Sequence, residues 1–268
     1  MNFKDYLKSL ELKDENLVRD MRWLACSILK KKLHEINSAE LTNKQQETLN
    51  NGVEKLKQNM PLNYITNSAP FYGLDFYVDE NVLIPRMETE MLVEKIIVDN
   101  KNAKNLKILD LCTGSGCIAI TLKKHLDCSV FASDFSESAL KIAKNNAKTH
   151  KTDITFIKSD MFKKILDKFD IIVSNPPYIK KSEIEKLDDS VKNFEPYIAL
   201  DGGNDGLDFY RKIADLAPKF LNKNGKLYLE IGFDQGQSVP KLLENNFKNI
   251  EIFKDLDNND RIVKCFRR

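Results

Sequence analysis

The chain has 268 residues, of which 42% are hydrophobic and 31% are charged, which favours a globular α/β protein with a small additional domain over a disordered chain. No run of about 18 apolar residues could span a bilayer and the N-terminus lacks the apolar stretch of a signal peptide, so a soluble, cytoplasmic protein is expected. The net charge of +2 gives no indication of a general surface for binding polyanions.

Five cysteines are spread along the chain without a C-x-x-C pair. An odd number without that spacing indicates neither a zinc site nor a disulfide framework, so no metal is predicted. We expect reduced and mostly buried thiols at Cys26, Cys112, Cys117, Cys128 and Cys265.

Residues 1 to about 60 carry apolar side chains at helical spacing, as in Leu17, Met21, Leu24 and Ile28. The stretch 61–73 then mixes Pro, Asn, Ser and Gly, as a connector does. The sequence therefore predicts a small helical domain with its connector over residues 1–70 and a second domain over residues 71–268.

From residue 71 onward, short apolar runs alternate with helical segments. The pattern begins with a hairpin through FYGLDFYVDENVLIP and a helix from about residue 88 to 98. The strands that follow are predicted in LKILDLC, at 129–133, and in ITFIKSD, FDIIVSNPP, GKLYLEIG and IEIFKDL. Such alternation predicts a doubly wound, mostly parallel sheet with its ligand site at the carboxyl ends of the strands.

A glycine loop follows the first of these parallel strands. Gly114, Gly116 and Ala119 form G-x-G-x-x-A before a helix, and Asp134 lies 20 residues after the first glycine, at the end of the next strand. Glycine allows close backbone approach to a ligand, and the carboxylate can accept hydrogen bonds from both ribose hydroxyls. A structural turn and an NAD site share this pattern. Asp110 favours S-adenosylmethionine instead, since an anion before the loop repels a pyrophosphate but suits an ammonium group.

The motif Ser174-Asn175-Pro176-Pro177-Tyr178 follows the strand FDIIV, where a substrate would meet the cofactor. The two prolines lack backbone donors and hold a rigid turn with free carbonyls, and Asn175 adds a side-chain carbonyl. Together these acceptors can bind both hydrogens of an NH₂ group, and Tyr178 can pack on its planar group. An ordinary structural turn is the alternative.

The motifs together are similar to those of the release-factor glutamine N5-methyltransferases, the HemK or PrmC family. The resemblance runs from about Pro61 to Arg268 and lies in PLNYIT, FYGLDFYVDENVLIPRMETEMLVE, LDLCTGSGCIAI, SNPPYI, EPYIALDGGNDGLDFYR and LYLEIGFDQG. Two departures are Met87, where the family usually has proline, and Asn67, where it often has glycine. The resemblance implies a Rossmann-like, seven-stranded methyltransferase sheet.

The resemblance also implies roles for individual residues. The catalytic residues would be Asn175, Pro176 and Tyr178, and these with Pro177 would hold the substrate glutamine. Arg86 and Glu88 would position the substrate loop or tie the two domains together. The cofactor S-adenosylmethionine would be bound by Asp110, Cys112, Thr113, Gly114, Ser115, Gly116, Asp134, Met161 and Asn175.

The expected substrate is the glutamine of the Gly-Gly-Gln motif in class I peptide-chain release factors, recognised by the helical domain. An amide nitrogen is a poor nucleophile, so the expected mechanism is alignment of the substrate rather than strong base catalysis. A ribosomal-protein glutamine and the N6 amine of adenine would suit the same pocket. No nucleic-acid substrate is expected, since the charge is near neutral and no base-reading segment is evident. A module that binds without catalysis is a further alternative.

Overall fold

The structure, a computed structural model, describes all 268 residues and divides into two compact units. The first unit contains Met1–Ser68 and the later segment Asp188–Phe194, and the second contains Ala69–Leu187 and Glu195–Arg268. The interpretation of residues 1–70 as a substrate-recognition domain stays a prediction. Every helix is too short or too polar to cross a membrane.

The first unit is helical, and polar side chains begin its longer helices. Asn2 and Asp14 each accept a hydrogen bond from a backbone N–H of the first turn, and Thr42 forms a reciprocal capping box with Gln45. The helices of this unit are α1 (Phe3–Ser9), α2 (Glu15–Leu29), α3 (Asn43–Lys57) and α4 (Leu62–Thr66), with α9 (Asp189–Lys192) in the later segment.

The second unit contains the hairpin and the main sheet. Its strands are β1 (Ala69–Phe71), β2 (Leu74–Phe76), β3 (Leu106–Leu111), β4 (Cys128–Asp134), β5 (Ile154–Lys158), β6 (Phe169–Ser174), β7 (Leu221–Glu230), β8 (Phe247–Lys254) and β9 (Asp260–Arg267). Its helices are α5 (Met87–Asn100), α6 (Cys117–His125), α7 (Glu137–Thr149), α8 (Lys181–Ile184), α10 (Asp208–Phe220) and α11 (Ser238–Leu243), with a 3₁₀ turn at Tyr197–Ala199.

The main sheet has seven strands in the order β5-β4-β3-β6-β7-β9-β8. The first five strands in this order are parallel to one another, and β9 is antiparallel to both β7 and β8. The predicted mostly parallel, seven-stranded sheet is therefore confirmed. The sequence patterns do not predict the strand β9, which lies between the two strands that precede it in the chain.

Helices cover both faces of the sheet. Alternate side chains of each central strand point to opposite faces, so apolar side chains on both faces need to be covered. In β3, Ile108 packs in a core with α5 and α6, whereas Leu109 packs in a second core with α10. Both side chains are fully buried. Burial on both faces explains why the central strands read as continuous apolar runs.

The register of the central strands aligns their carboxyl ends. Leu111, the last residue of β3, is the partner of Ser133 in β4 and of Ser174 in β6. The three loops that follow these strands consequently begin at one edge of the sheet.

In the helical unit, Gly52 allows α3 to pack closely on α2. A Cβ added at Gly52 would overlap Leu24 Cδ2, and Leu24 is buried. We expect Gly52→Ala to lower the free energy of unfolding by up to about 2 kcal/mol, since overpacking costs about 1–3 kcal/mol against the roughly 1 kcal/mol gained in helix propensity. Urea unfolding measures this effect. The exposed neighbour Asn51 provides the control, because Asn51→Ala should leave stability unchanged or slightly higher; a Gly52→Ala variant more stable than the wild type would contradict the packing.

Candidate active site

A cavity of about 290 Å³ lies at the carboxyl edge of the main sheet. The loops after β3, β4 and β6 contribute to its wall, together with residues near 81–89, 159–161, 196–199 and 209–212. Of the residues predicted from the sequence, the cavity is lined by Cys112, Thr113, Gly114, Ser115, Asp134, Met161, Asn175 and Pro177. Asp110, Gly116, Pro176 and Tyr178 are not among the residues that line it.

The glycine loop uses left-handed backbone conformations, with positive φ at Cys112, Gly114 and Gly116. A Cβ at Gly116 would lie 3.1 Å from the Cβ of Ala143, so this glycine permits close packing against α7. A Cβ at Gly114 would have no other protein atom within 4 Å. The loop is therefore packed against protein at its second glycine and open at its first.

Asp134 holds the glycine loop from the neighbouring strand. Its Oδ2 accepts a hydrogen bond from Gly114 N at 2.9 Å, and its Oδ1 accepts one from Ser136 N at 2.8 Å. Burial raises the pKa of Asp134, and the backbone N–H groups oppose this shift because they stabilise the carboxylate. A carboxylate has about four acceptor positions, so beyond these backbone N–H groups the side chain can also accept a hydrogen bond from a hydroxyl group of a ligand.

Asp110 is fully buried beneath the loop. Its Oδ2 accepts hydrogen bonds from Thr113 Oγ1 at 2.6 Å and from Ala119 N at 3.2 Å, whereas its Oδ1 has no partner. Burial raises the pKa of Asp110 to about 7. The side chain thus anchors the glycine loop to α6, and its expected attraction for an ammonium group stays a prediction.

The Asn-Pro-Pro-Tyr loop leaves β6 with its polar side chains tied to the interior. Asn175 Nδ2 donates to Thr89 Oγ1 at 3.1 Å, and Thr89 Oγ1 donates to Glu230 Oε2 at 2.6 Å. Tyr178 Oη lies 3.5 Å from Glu230 Oε1, and burial raises the pKa of this phenol. The Tyr178 hydroxyl therefore has a buried polar partner. The expected packing of the Tyr178 ring on a substrate amide stays a prediction.

The backbone at Tyr178 is enclosed by residues whose roles the sequence did not reveal. Gln235 Nε2 donates to Tyr178 O at 3.1 Å and to Gly206 O at 3.0 Å. A Cβ at Gly202 would lie 2.7 Å from Tyr178 Cα, and one at Gly206 would lie 2.5 Å from Tyr178 O. Gly202 and Gly206 belong to the motif ALDGGNDGL and Gln235 belongs to LYLEIGFDQG, and all three residues contact Tyr178 of the NPPY turn.

An ion pair joins two segments beside the cavity. The guanidinium of Arg86 pairs with the buried carboxylate of Glu195, which also accepts a hydrogen bond from Ile84 N at 3.3 Å. Both Arg86 and the neighbouring Pro196 line the cavity. Since all of these residues belong to the second unit, the ion pair joins two segments of that unit.

Comparison with known proteins shows that this chain is similar to methyltransferases. Residues 87–193 match the methyltransferase small domain family. The chain is 49% identical to the release factor glutamine methyltransferase of Flavobacterium psychrophilum over 78% of this chain and 76% of that protein. It is 39% identical to the release factor glutamine methyltransferase of Clostridium acetobutylicum over 98% of this chain and 96% of that protein.

Solved structures share the fold at lower identity. A methyltransferase from Pyrococcus furiosus is 19% identical, with 81% of this chain and 98% of that chain covered and a TM-score of 0.55. A 16S rRNA methyltransferase from Thermus thermophilus, in complex with AdoMet and guanosine, is 16% identical, with 75% and 50% covered and a TM-score of 0.56. These similarities support the Rossmann-like methyltransferase fold.

The raised pKa of Asp110 has a measurable effect on stability. Its pKa is about 7 in the folded chain against an ordinary value of 3.8, so the stability it contributes is fully present below about pH 4 and is lost as pH rises through about 7. Asp110→Asn removes this titration. Between about pH 4 and 8, the unfolding free energy of the wild type should therefore fall relative to that of Asp110→Asn by on the order of 1–4 kcal/mol in urea titrations. A difference that stays constant with pH would contradict the buried state of this carboxyl group.

Proposed function

Because the chain belongs to the release factor glutamine methyltransferase family, we propose that it transfers a methyl group from S-adenosylmethionine to a glutamine side-chain amide of a peptide-chain release factor. The proposed acceptor is N5 of the glutamine in the Gly-Gly-Gln motif of class I release factors. The proposal includes a cytoplasmic location, where these factors act, and recognition of the factor by the helical unit. The observation that carries it is the meeting of the glycine loop, Asp134 and Asn175 in one cavity.

The cavity suits the proposed cofactor. The open space at Gly114 leaves room for a ligand against the backbone, and Asp134 can also accept a hydrogen bond from a ribose hydroxyl. Carboxylates at Asp110 and Asp134 disfavour the pyrophosphate of a dinucleotide and favour a cationic ligand. Met161, which is buried and lines the cavity, provides a polarisable apolar surface for the adenine. When bound, the cofactor supplies an electrophilic methyl group.

The NPPY loop aligns the substrate amide in this proposal. Asn175 Oδ1 and a proline carbonyl accept hydrogen bonds from the two N–H groups of the glutamine NH₂. This arrangement directs the nitrogen lone pair toward the cavity. These acceptors raise the electron density on nitrogen as its protons become more acidic in the transition state. Alignment supplies most of the rate enhancement, and the proton leaves to water after transfer.

Asn175→Ala tests the assigned role of this loop. Removal of one acceptor leaves the glutamine amide free to rotate, and we expect the single-turnover rate of release-factor methylation to fall by about two orders of magnitude, or about 3 kcal/mol. Cofactor affinity, measured by calorimetry on the same variant, should change by less than about threefold, because the lost bond forms mainly with the substrate.

Mass spectrometry at the glutamine of the Gly-Gly-Gln motif gives the methylation rate. Asn145→Ala, at an exposed position of α7, is the matched control and should keep the wild-type rate. If Asn175→Ala also keeps that rate, the NPPY motif is a structural turn and the proposed NH₂ clamp is wrong.

A further inference from the structure

Behind the NPPY loop, a chain of hydrogen bonds connects Asn175 to a buried carboxylate at the end of β7. Thr89 on α5 stands between them, 3.1 Å from Asn175 Nδ2 and 2.6 Å from Glu230 Oε2. Thr89 and Glu230 are 3% and 1% exposed, so water does not compete for these hydrogen bonds. We call these three side chains the Glu230 relay.

The numbers of donors and acceptors give the relay a direction. An ionised carboxylate only accepts hydrogen bonds, so the single proton of the Thr89 hydroxyl is directed to Glu230. The Thr89 oxygen can then only accept, and it must face the NH₂ end of the Asn175 amide. The opposite amide orientation would place Asn175 Oδ1 against an oxygen that has no proton to donate, which is repulsive.

This direction determines which end of the amide faces away from Thr89. Because Oδ1 and Nδ2 lie in the amide plane on opposite sides of the Cβ–Cγ bond, fixing Nδ2 on Thr89 presents Oδ1 on the other side. An acceptor there is what a substrate NH₂ group requires, whereas a rotated Asn175 would present two N–H donors to it. We propose that Thr89 and Glu230 are positioning residues that hold the Asn175 amide with its carbonyl oxygen toward the substrate; this rests on the proposed function.

The surroundings hold Glu230 itself in place. Its backbone carbonyl accepts a hydrogen bond from the buried Tyr210 hydroxyl at 2.9 Å, and Tyr178 Oη lies 3.5 Å from its second carboxylate oxygen. Burial raises the pKa of Glu230 to about 7, and the Thr89 hydrogen bond and the charge of Arg261 oppose this shift. An assay at about pH 8 therefore measures the relay with Glu230 ionised.

The test compares Thr89→Val with Thr89→Ser. Valine matches threonine in shape but lacks the hydroxyl, so the Asn175 amide loses its fixed orientation, and we expect the single-turnover rate of release-factor methylation to fall about 10- to 30-fold. Serine keeps the hydroxyl and should retain the rate within about threefold. Cofactor affinity should stay within about twofold in both variants, which also shows that they are folded.

A double-mutant cycle separates positioning from a general structural role. If Thr89 acts through Asn175, then Thr89→Val should have almost no further effect on the rate in the Asn175→Ala background. Glu230→Gln can present either end of its amide to Thr89, so it should lower the rate by about three- to tenfold alone and have almost no effect in the same background. Rate losses that multiply in the double variants would overturn the relay, as would a Thr89→Val variant with the wild-type rate.

The wild-type chain distinguishes this inference from the proposed function. A wild type that transfers no methyl group to a release factor overturns the proposed function and the relay with it. An active wild type with an unaffected Thr89→Val variant overturns the relay alone. A wild-type rate in Glu230→Gln would overturn the part assigned to the carboxylate.

Discussion

The parallel pairing of β3 with β4 and β6 is the constraint on which the site depends. Leu111, Ser133 and Ser174 are register partners, so the glycine loop, Asp134 and the NPPY turn begin at one level. The hydrogen bonds from Gly114 N to Asp134 and from Ser174 Oγ to the Leu111 carbonyl then join these loops in pairs. A shift of one residue in either pairing would turn alternate side chains to the other face and separate them.

Two fully buried carboxylates lie directly behind this edge. Asp110 holds the glycine loop through Thr113 and Ala119, and Glu230 holds the NPPY loop through Thr89. Burial raises the pKa of each to about 7, so ionising them costs stability near neutral pH. Apolar residues in these positions would avoid that cost but could not orient a backbone loop or an amide. The site therefore trades some stability for defined geometry.

The parts of this site that the sequence predicts are those with local signatures. A glycine loop after a strand, an acid at the next strand end and an NPPY turn each occupy a few adjacent residues, and strand alternation predicts that they meet. The strand β9 could not be predicted because Asp260, Arg261 and Lys264 interrupt its apolar residues. Its position between β7 and β8 also differs from the order of the strands in the chain. Its register places Ile262 beside Glu230.

The supporting contacts could not be predicted from local patterns. Thr89 and Glu230 are 141 residues apart, and Gln235 reaches Tyr178 across 57 residues. A threonine near a helix start and a glutamate at a strand end are common in sequences, and only the folded chain brings them together. The segment Asp188–Phe194 belongs to the helical unit. Its place there could not be predicted either, because a short polar stretch does not indicate which distant residues it contacts.

Methylation of a glutamine amide of a release factor at this edge of the sheet can be tested directly. The most direct measurement adds the protein and labelled S-adenosylmethionine to a cell extract, separates protein from nucleic acid, and locates the label by tandem mass spectrometry. We expect one methyl group on the side-chain amide of the glutamine in the Gly-Gly-Gln motif of a release factor. Label in nucleic acid or in another protein would contradict it, as would no label despite cofactor binding.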